Sequence, residues 1–205
     1  RTFRWSKVAM VFQGAMNSLN PVLSIRSQLN DVLTTHRPQM ERAERRRRSE
    51  ELLELVGVDR DRIDAFPHEL SGGMRQRVMI AMALALDPQL MIMDEPTTAL
   101  DVVVQREILQ EVLRLRQELG FAVVFITHDL PMLLEISDRI AVMKAGRIVE
   151  LDTAENLYFA PKDDYTRTLL GSFPSLTGEA GDFVRAGFTQ DDAAPAGIAD
   201  QESSS

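Results

Sequence analysis

The sequence predicts an α/β protein with a mostly parallel sheet, and two observations predict that fold class. Residues 90–93 and 121–126 are continuous apolar runs, which is typical of parallel strands buried on both faces. Between them, Val102–Leu119 places apolar residues at helical spacing, and Gly120 is suited to end that helix. A strand, a helix and a further strand imply a right-handed crossover. Ligands of such a sheet bind beyond the carboxyl ends of its strands.

The remaining elements are predicted from apolar spacing, helix caps and turn residues. Further strands are expected at residues 7–12, 139–143 and 147–151, the last two joined by a turn at Gly146. Helices are expected at residues 25–35 after a Ser24 cap, 38–56 with Pro38 first, from Met74 onwards, Leu130–Ile136, 154–159 after a Thr153 cap, and 165–170. Residues 177–205 are rich in glycine, alanine, aspartate and serine, so we expect a mostly disordered tail.

The composition is that of a globular chain and excludes several kinds of site. Of the 205 residues, 44% are hydrophobic, which is enough for a sizeable core, and the net charge is −8. An acidic total argues against a dedicated nucleic-acid binder. The absence of cysteine excludes disulfides, thiolate metal ligands and cysteine nucleophiles, and it suits a cytosolic protein. No apolar run of about 18 residues is present, so no membrane-spanning helix is predicted.

Four consecutive arginines, residues 45–48, lie within the predicted helix 38–56. They could form a patch that binds phosphate or lipid. They could equally form a solvated helix face with ion pairs at i,i+4 spacing, since Glu41, Glu44, Glu50 and Glu51 flank them.

Asp94 and Glu95 directly follow the apolar run 90–93. Carboxylates at the carboxyl end of a buried parallel strand lie where α/β sheets bind ligands. One could hold Mg²⁺ while the other orients or deprotonates an attacking water. The alternative is a surface acid pair at a strand end.

Other polar residues have similar placements. Ser71, Gly72 and Gly73 precede a helix whose N-terminus could bind an anion, or they simply cap that helix. His128 and Gln13 each end a predicted strand, where they could contact a phosphate, a metal or a water, or have only a structural role. No role is predicted for His36 or His68.

These residues occur in an order that resembles the ABC ATPases. Gln13 resembles the Q-loop glutamine, LSGGM (residues 70–74) the signature motif, and LMIMDE (residues 90–95) the Walker B strand with its catalytic glutamate. ALD (residues 99–101) resembles the D-loop, and His128 the switch histidine. The resemblance implies a P-loop NTPase-like core with an inserted helical subdomain.

Longer segments are similar to one branch of this family, the oligopeptide and dipeptide importer ATPases. They are FQGAMNSLNPVLSI, the stretch from LSGGM to TTALDVVVQ, ITHDLPMLLEISDRIAVMKAGRIVE and YFAPKDDYTRTLL. Some members place cysteines after the last element, whereas this chain has none, so an iron–sulfur cluster is excluded. The continuation SFPSLTG is similar to members that serve oligosaccharides, which leaves the cargo open between peptide and sugar.

The resemblance implies ATP and Mg²⁺ as cofactors, bound between two ATPase subunits arranged head to tail. Ser71, Gly72 and Gly73 are expected to contact the γ-phosphate of the nucleotide held by the partner subunit, with Gln76 in the same nucleotide-binding group. Asp101 is expected to couple the two sites.

The other implied roles concern the subunit's own nucleotide. Asp94 and Gln13 are expected to arrange the metal, Glu95 to polarise the attacking water, and His128 to stabilise charge on the γ-phosphate. The implied partners are a second ATPase subunit, identical or not, transmembrane permease subunits and, indirectly, an extracytoplasmic solute-binding protein. The implied location is the cytoplasmic face of the membrane.

The sequence contains no G-x-x-x-x-G-K-[ST] phosphate loop, which in this family lies before the Q-loop. We expect a truncated chain that lacks the N-terminal part of the core and is inactive alone. The expected segments are the core strand 1–13, the helical subdomain 14–86, the α/β core 87–152, the C-terminal element 153–176 and the tail. The alternatives are a soluble non-transport ABC ATPase and a non-catalytic partner module.

Overall fold

The structure is a computed structural model that describes residues 7–12, 14, 18–97 and 100–172. The chain divides into two compact units, Arg1–His128 and Asp129–Ser205. The predicted tail at residues 177–205 lies outside the described residues. Within the described ranges, no helix has the length and apolar character needed to cross a membrane.

The first unit is built on a three-stranded parallel sheet in the order β1-β2-β3. Its strands are β1 (Val8–Val11), β2 (Leu90–Asp94) and β3 (Ala122–Ile126). The register aligns Met10, Ile92 and Val124 side by side. The predicted parallel sheet is confirmed, and all three strands end at one edge.

The two faces of this sheet differ in burial. Met91 and Met93 are 0% exposed and pack with helix residues in the main core. On the opposite face, Val124 and Ile126 are 46% and 48% exposed. The prediction that residues 121–126 are buried on both faces is therefore wrong for the described chain, because its helices leave that second face of β3 uncovered.

The described residues of the first unit also form four α-helices, and two of their predicted ends are confirmed. They are α1 (Ile25–His36), α2 (Arg42–Leu55), α3 (Gly72–Leu84) and α4 (Val102–Leu119), with short 3₁₀ helices at Arg60–Asp64 and Pro67–Glu69. Ser24 caps α1, since its Oγ accepts a hydrogen bond from the Ser27 N–H at 3.3 Å. Gly120 ends α4 with a φ of 72°, a left-handed conformation that glycine adopts without a steric penalty.

The start of α2 differs from the prediction. The helix begins at Arg42, after Glu41, and not at Pro38. Residues 38–40 instead form a turn in which the Met40 N–H donates to the Arg37 carbonyl at 3.0 Å. Met40 packs against the main core from this turn, and that contact accounts for the delayed helix start.

The arginine run lies on α2 and forms ion pairs. Arg46 Nε lies 3.0 Å from Glu50 Oε1, one helical turn away. Arg48 and Arg37 each place a guanidinium nitrogen 2.7 Å from the Asp87 carboxylate, which follows α3. These contacts support the ion-paired interpretation of residues 45–48.

The described part of the second unit, residues 129–172, contains an antiparallel hairpin and three helices. Its elements are α5 (Leu130–Ile136), β4 (Arg139–Lys144), β5 (Arg147–Thr153), α6 (Ala154–Phe159) and α7 (Asp164–Gly171). Ala145 and Gly146 join the strands with φ values of 48° and 76°, as in a type I′ turn. The predicted strands at residues 139–143 and 147–151 and the turn between them are confirmed, and within the described residues β4 pairs with β5.

A buried carboxylate fixes the segment before α7. Glu150 on β5 is 8% exposed and accepts hydrogen bonds from the backbone N–H groups of Lys162 (2.8 Å) and Asp163 (3.1 Å). Burial opposes ionisation of Glu150, but the nearby Thr166 hydroxyl, these two backbone hydrogen bonds and the charge of Lys162 together outweigh it and lower the pKa of its carboxyl. The carboxylate therefore stabilises this segment in its ionised form.

Candidate functional site

Asp94 and Glu95 lie at the carboxyl end of β2, as predicted. Asp94 is the last residue of the strand and is aligned with Ile126 of β3. Glu95 follows with a φ of 46°, in the left-handed region that a residue with a Cβ seldom adopts. Its backbone N–H donates to the Ile126 carbonyl at 2.8 Å, so β3 holds the turned backbone in place.

This turned backbone brings the Glu95 side chain to His128, two residues beyond β3. His128 Nδ1 lies 2.6 Å from Glu95 Oε1, and the His128 N–H donates to the same oxygen at 3.2 Å. The Glu95 side chain is 19% exposed, whereas that of His128 is 83% exposed. The histidine therefore orients a largely enclosed carboxylate while keeping most of its ring open to solvent.

A second group of predicted residues lies at helix N-termini. Ser71 caps α3, since its Oγ accepts from the Met74 N–H at 3.3 Å. The helix thus begins at Gly72, two residues earlier than predicted, because this hydrogen bond completes its first turn. Asp101 caps α4 in the same way, with Oδ1 accepting from the Val104 N–H at 3.0 Å.

The two capped helices contact each other at Gly73. A Cβ built on Gly73 would lie only 2.7 Å from Cγ1 of Val104 on α4. Since carbon atoms in good contact are about 3.5–4.0 Å apart, the backbone of α3 approaches α4 more closely than any side chain allows. Ser71 and Gly73 therefore belong to one packed unit with Asp101.

The two predicted glutamines have different outcomes. Gln13 lies outside the described residues, so its predicted metal contact stays a prediction. Gln76 is 1% exposed within α3, and its Nε2 has no hydrogen-bond partner among the described residues. This burial closes the side chain to a ligand in the present conformation and gives no support to its predicted nucleotide contact.

The donor set at the end of β2 suits a magnesium ion held together with a ligand. No cluster of three or more histidine, cysteine, aspartate or glutamate residues that could hold a metal occurs among the described residues. Asp94 offers one carboxylate at this edge, and Mg²⁺ commonly takes one or two carboxylates and completes its shell with water and phosphate oxygens. The Asp94 carboxylate fits such an ion.

Sequence reasoning did not identify Val104. An apolar residue three positions after a helix cap is common, and no sequence pattern distinguishes this one from Val102 or Val103. Only the packing of α4 against α3 reveals it, because the contact joins residues that are 31 positions apart.

Comparisons with known proteins agree on the family. The ABC transporter family profile matches residues 1–98. The chain is 46% identical over 175 residues to the oligopeptide transport ATP-binding protein OppD of Bacillus subtilis, covering 84% of this chain and 49% of that protein. It is 49% identical over 171 residues to the dipeptide transport ATP-binding protein DppD of Haemophilus influenzae, covering 82% and 52%.

A solved structure supports the same assignment. It is a dimeric post-hydrolysis state of the ATP-binding cassette MJ0796 bound to ADP and Pi, with a TM-score of 0.63 and 32% identity. The match covers 75% of this chain and 65% of that one, and the chain spans about half the length of the two transport relatives. The predicted P-loop NTPase-like α/β fold is confirmed. The chain belongs to the family of ABC transporter ATP-binding proteins.

Proposed function

We propose that the chain belongs to the ATP-hydrolysing subunit that powers an ABC importer for peptides or related small solutes. The observation that carries this proposal is the 2.6 Å contact between Glu95 Oε1 and His128 Nδ1 at the carboxyl end of a parallel sheet. A carboxylate held in this way is a proton acceptor at the sheet edge where α/β proteins bind ligands.

The residues at the end of β2 divide the chemistry between them. Asp94 holds Mg²⁺, with Gln13 as a second ligand, and the ion supplies charge neutralisation for the phosphates. Glu95 accepts hydrogen bonds from the attacking water and takes its proton. His128 orients Glu95 through Nδ1 and places its exposed ring where charge develops on the γ-phosphate. Such groups act by position and electrostatics.

The helix N-termini act on the nucleotide of a second ATPase subunit. Ser71 and the backbone N–H groups of Gly72 and Gly73 stand at the positive end of the α3 dipole, which favours an anion. Asp101, at the start of the contacting helix, connects the two sites. The dimeric state of the solved relative supports a pair of ATPase subunits.

The partners follow from the same proposal. The subunit lies on the cytoplasmic face of the membrane, bound to transmembrane permease subunits, and a solute-binding protein acts through them. Residues 14–86 form the helical subdomain that transmits nucleotide binding to the permease. The names of the oligopeptide and dipeptide relatives support a peptide cargo.

The 205-residue chain by itself should hydrolyse almost no ATP. Its sequence contains no G-x-x-x-x-G-K-[ST] segment, whose backbone amides and lysine cradle the phosphates in P-loop enzymes. Multiple-turnover hydrolysis by the purified chain would contradict this part of the proposal.

The function is tested on the transporter complex purified with its permease. We expect Mg²⁺-dependent ATP hydrolysis that increases when a peptide-loaded binding protein is added. Parallel assays with oligosaccharide-loaded binding protein distinguish the cargo. A complex without ATPase activity, or a subunit that sediments with ribosomes and not with a permease, would contradict the proposal.

A further inference from the structure

The contact between Gly73 and Val104 connects two elements that the proposed function uses. Gly73 is the second residue of α3, two positions after the Ser71 cap, and Val104 lies in the first turn of α4, after the Asp101 cap. The distance of 2.7 Å from a Cβ at position 73 to Val104 Cγ1 leaves no room for a side chain on α3. The two first turns therefore touch through a backbone on one side and a valine on the other.

Val104 is suited to fix this contact. A β-branched side chain in a helix has one strongly preferred χ1 rotamer, so Cγ1 cannot easily swing away from Gly73. The residue also packs against the main core together with Met74 of α3. Its backbone N–H is the donor that the Asp101 carboxylate accepts at 3.0 Å.

We propose that Val104 is a positioning residue that sets the spacing between Ser71 and Asp101. Its backbone N–H binds the Asp101 carboxylate, and its side chain lies against Gly73, two positions after the Ser71 cap. A shift of one first turn is therefore transmitted to the other. This inference rests on the proposed function, in which Ser71 and Asp101 act at the interface between two ATPase subunits. Val104 itself touches no nucleotide.

The neighbouring valines lack this arrangement. Val102 and Val103 are 79% and 68% exposed, whereas Val104 is partly buried. The role thus belongs to the valine of this turn that contacts α3, and substitutions at position 104 can separate it from a general effect of exposed apolar surface.

The test uses paired substitutions in the purified transporter complex. Gly73→Ala adds a methyl group where Val104 Cγ1 lies, and Val104→Ala removes that carbon, so the double variant regains the space. Gly171→Ala is the matched control, because an added Cβ there has no atom within 4 Å. The turnover number, the KM for ATP and the melting temperature are measured for each.

We expect Gly73→Ala to lower turnover by about tenfold or more, since displacements of about 1 Å near a reacting centre have effects of that order. Its KM for ATP should change less than about threefold, because the subunit's own nucleotide contacts at Asp94 and Glu95 are not moved. The double variant should recover turnover to within about threefold of the unmodified complex. Gly171→Ala should leave all three quantities unchanged.

The outcomes distinguish failure of the positioning role of Val104 from failure of the proposed ATPase function. If the methyl group at position 73 acts by meeting the partner's nucleotide, Val104→Ala will not rescue it, and the positioning role is overturned. Recovery of the melting temperature without recovery of turnover also overturns it, because the contact would then be only structural. An unmodified complex that fails to hydrolyse ATP overturns the proposed function and this inference with it.

Discussion

Replacing Glu95 by glutamine removes the proposed proton acceptor with little change of shape. Oε1 of a glutamine can still accept from the His128 N–H, now at 3.2 Å, and can still accept from Nδ1 in the tautomer that carries a proton there. The backbone hydrogen bond from Glu95 N–H to the Ile126 carbonyl is also retained. We therefore expect the free energy of unfolding to change by no more than about 0.5 kcal/mol.

The effect on turnover should be far larger. Proton transfer by a positioned side chain contributes about 10²–10⁴-fold, which corresponds to about 3–5 kcal/mol of activation free energy. An amide cannot take a proton from the attacking water, so the whole of this contribution is lost. The KM for ATP should stay within about threefold, because an interaction made only in the transition state does not contribute to ground-state binding.

The assay is steady-state ATP hydrolysis by the transporter complex, with ATP binding and the melting temperature measured on the same preparation. Glu51→Gln serves as the matched control, since Glu51 lies on the exposed face of α2 and its nearest cation is 3.8 Å away. We also expect Glu95→Gln to trap ATP in a closed dimer. Turnover within about threefold of the unmodified complex would refute the assignment of Glu95 as the proton acceptor, since general base catalysis contributes at least about 10²-fold to the rate.

Three further predictions concern single positions. Ser71→Arg should abolish turnover without weakening ATP binding to the same subunit, and loss of that binding would contradict the role of Ser71 in the partner's site. Glu150→Gln should lower the melting temperature at pH 7. Because the folded pKa of Glu150 is lowered, its stabilisation is present above its unfolded pKa of about 4.3 and is lost as the pH falls through the folded value. Thermal melts from pH 7 to pH 3 should therefore show a steeper acid loss for the unmodified chain than for the variant, and parallel curves would exclude the effect. Gly120→Ala should destabilise the chain by about 1–2 kcal/mol in denaturant unfolding, through the left-handed φ of 72° alone, since no atom lies within 4 Å of an added Cβ; an unchanged midpoint would contradict that reasoning.

Local chemistry allowed much of the fold to be predicted from the sequence. Ser24 and Thr153 cap helices because a hydroxyl oxygen accepts a backbone N–H three residues later, a contact that needs no tertiary information. Gly120 ends α4 for an equally local reason. Apolar runs then identified β2 and β3, and their parallel pairing followed from the helix between them.

The features that were missed depend on contacts between distant segments. The start of α2 depends on how the preceding turn packs Met40 onto the core, and the exposed face of β3 depends on which helices cover the sheet. The burial of Gln76 and the contact of Gly73 with Val104 likewise arise from the packing of α3. Apolar periodicity reports that a helix has a buried face but not which residue lies against it.

At Glu95 the site depends both on local sequence and on contacts between distant segments. The sequence indicates an acid at the end of an apolar strand, but the direction of its side chain depends on a backbone in the left-handed region, at a cost of about 1–2 kcal/mol. Two contacts with the segment that ends β3 offset this strain, the hydrogen bond to the Ile126 carbonyl and the hydrogen bonds between the Glu95 carboxylate and His128. Of the three described non-glycine residues with positive φ, Asp87 and Ala145 lie in connecting turns, and Glu95 alone carries its strain at the ligand edge of the sheet. Backbone strain that is maintained at such a position is expected of a residue whose orientation matters for chemistry. The geometry therefore supports the choice of Glu95 over Asp94 as the proton acceptor on grounds independent of sequence similarity.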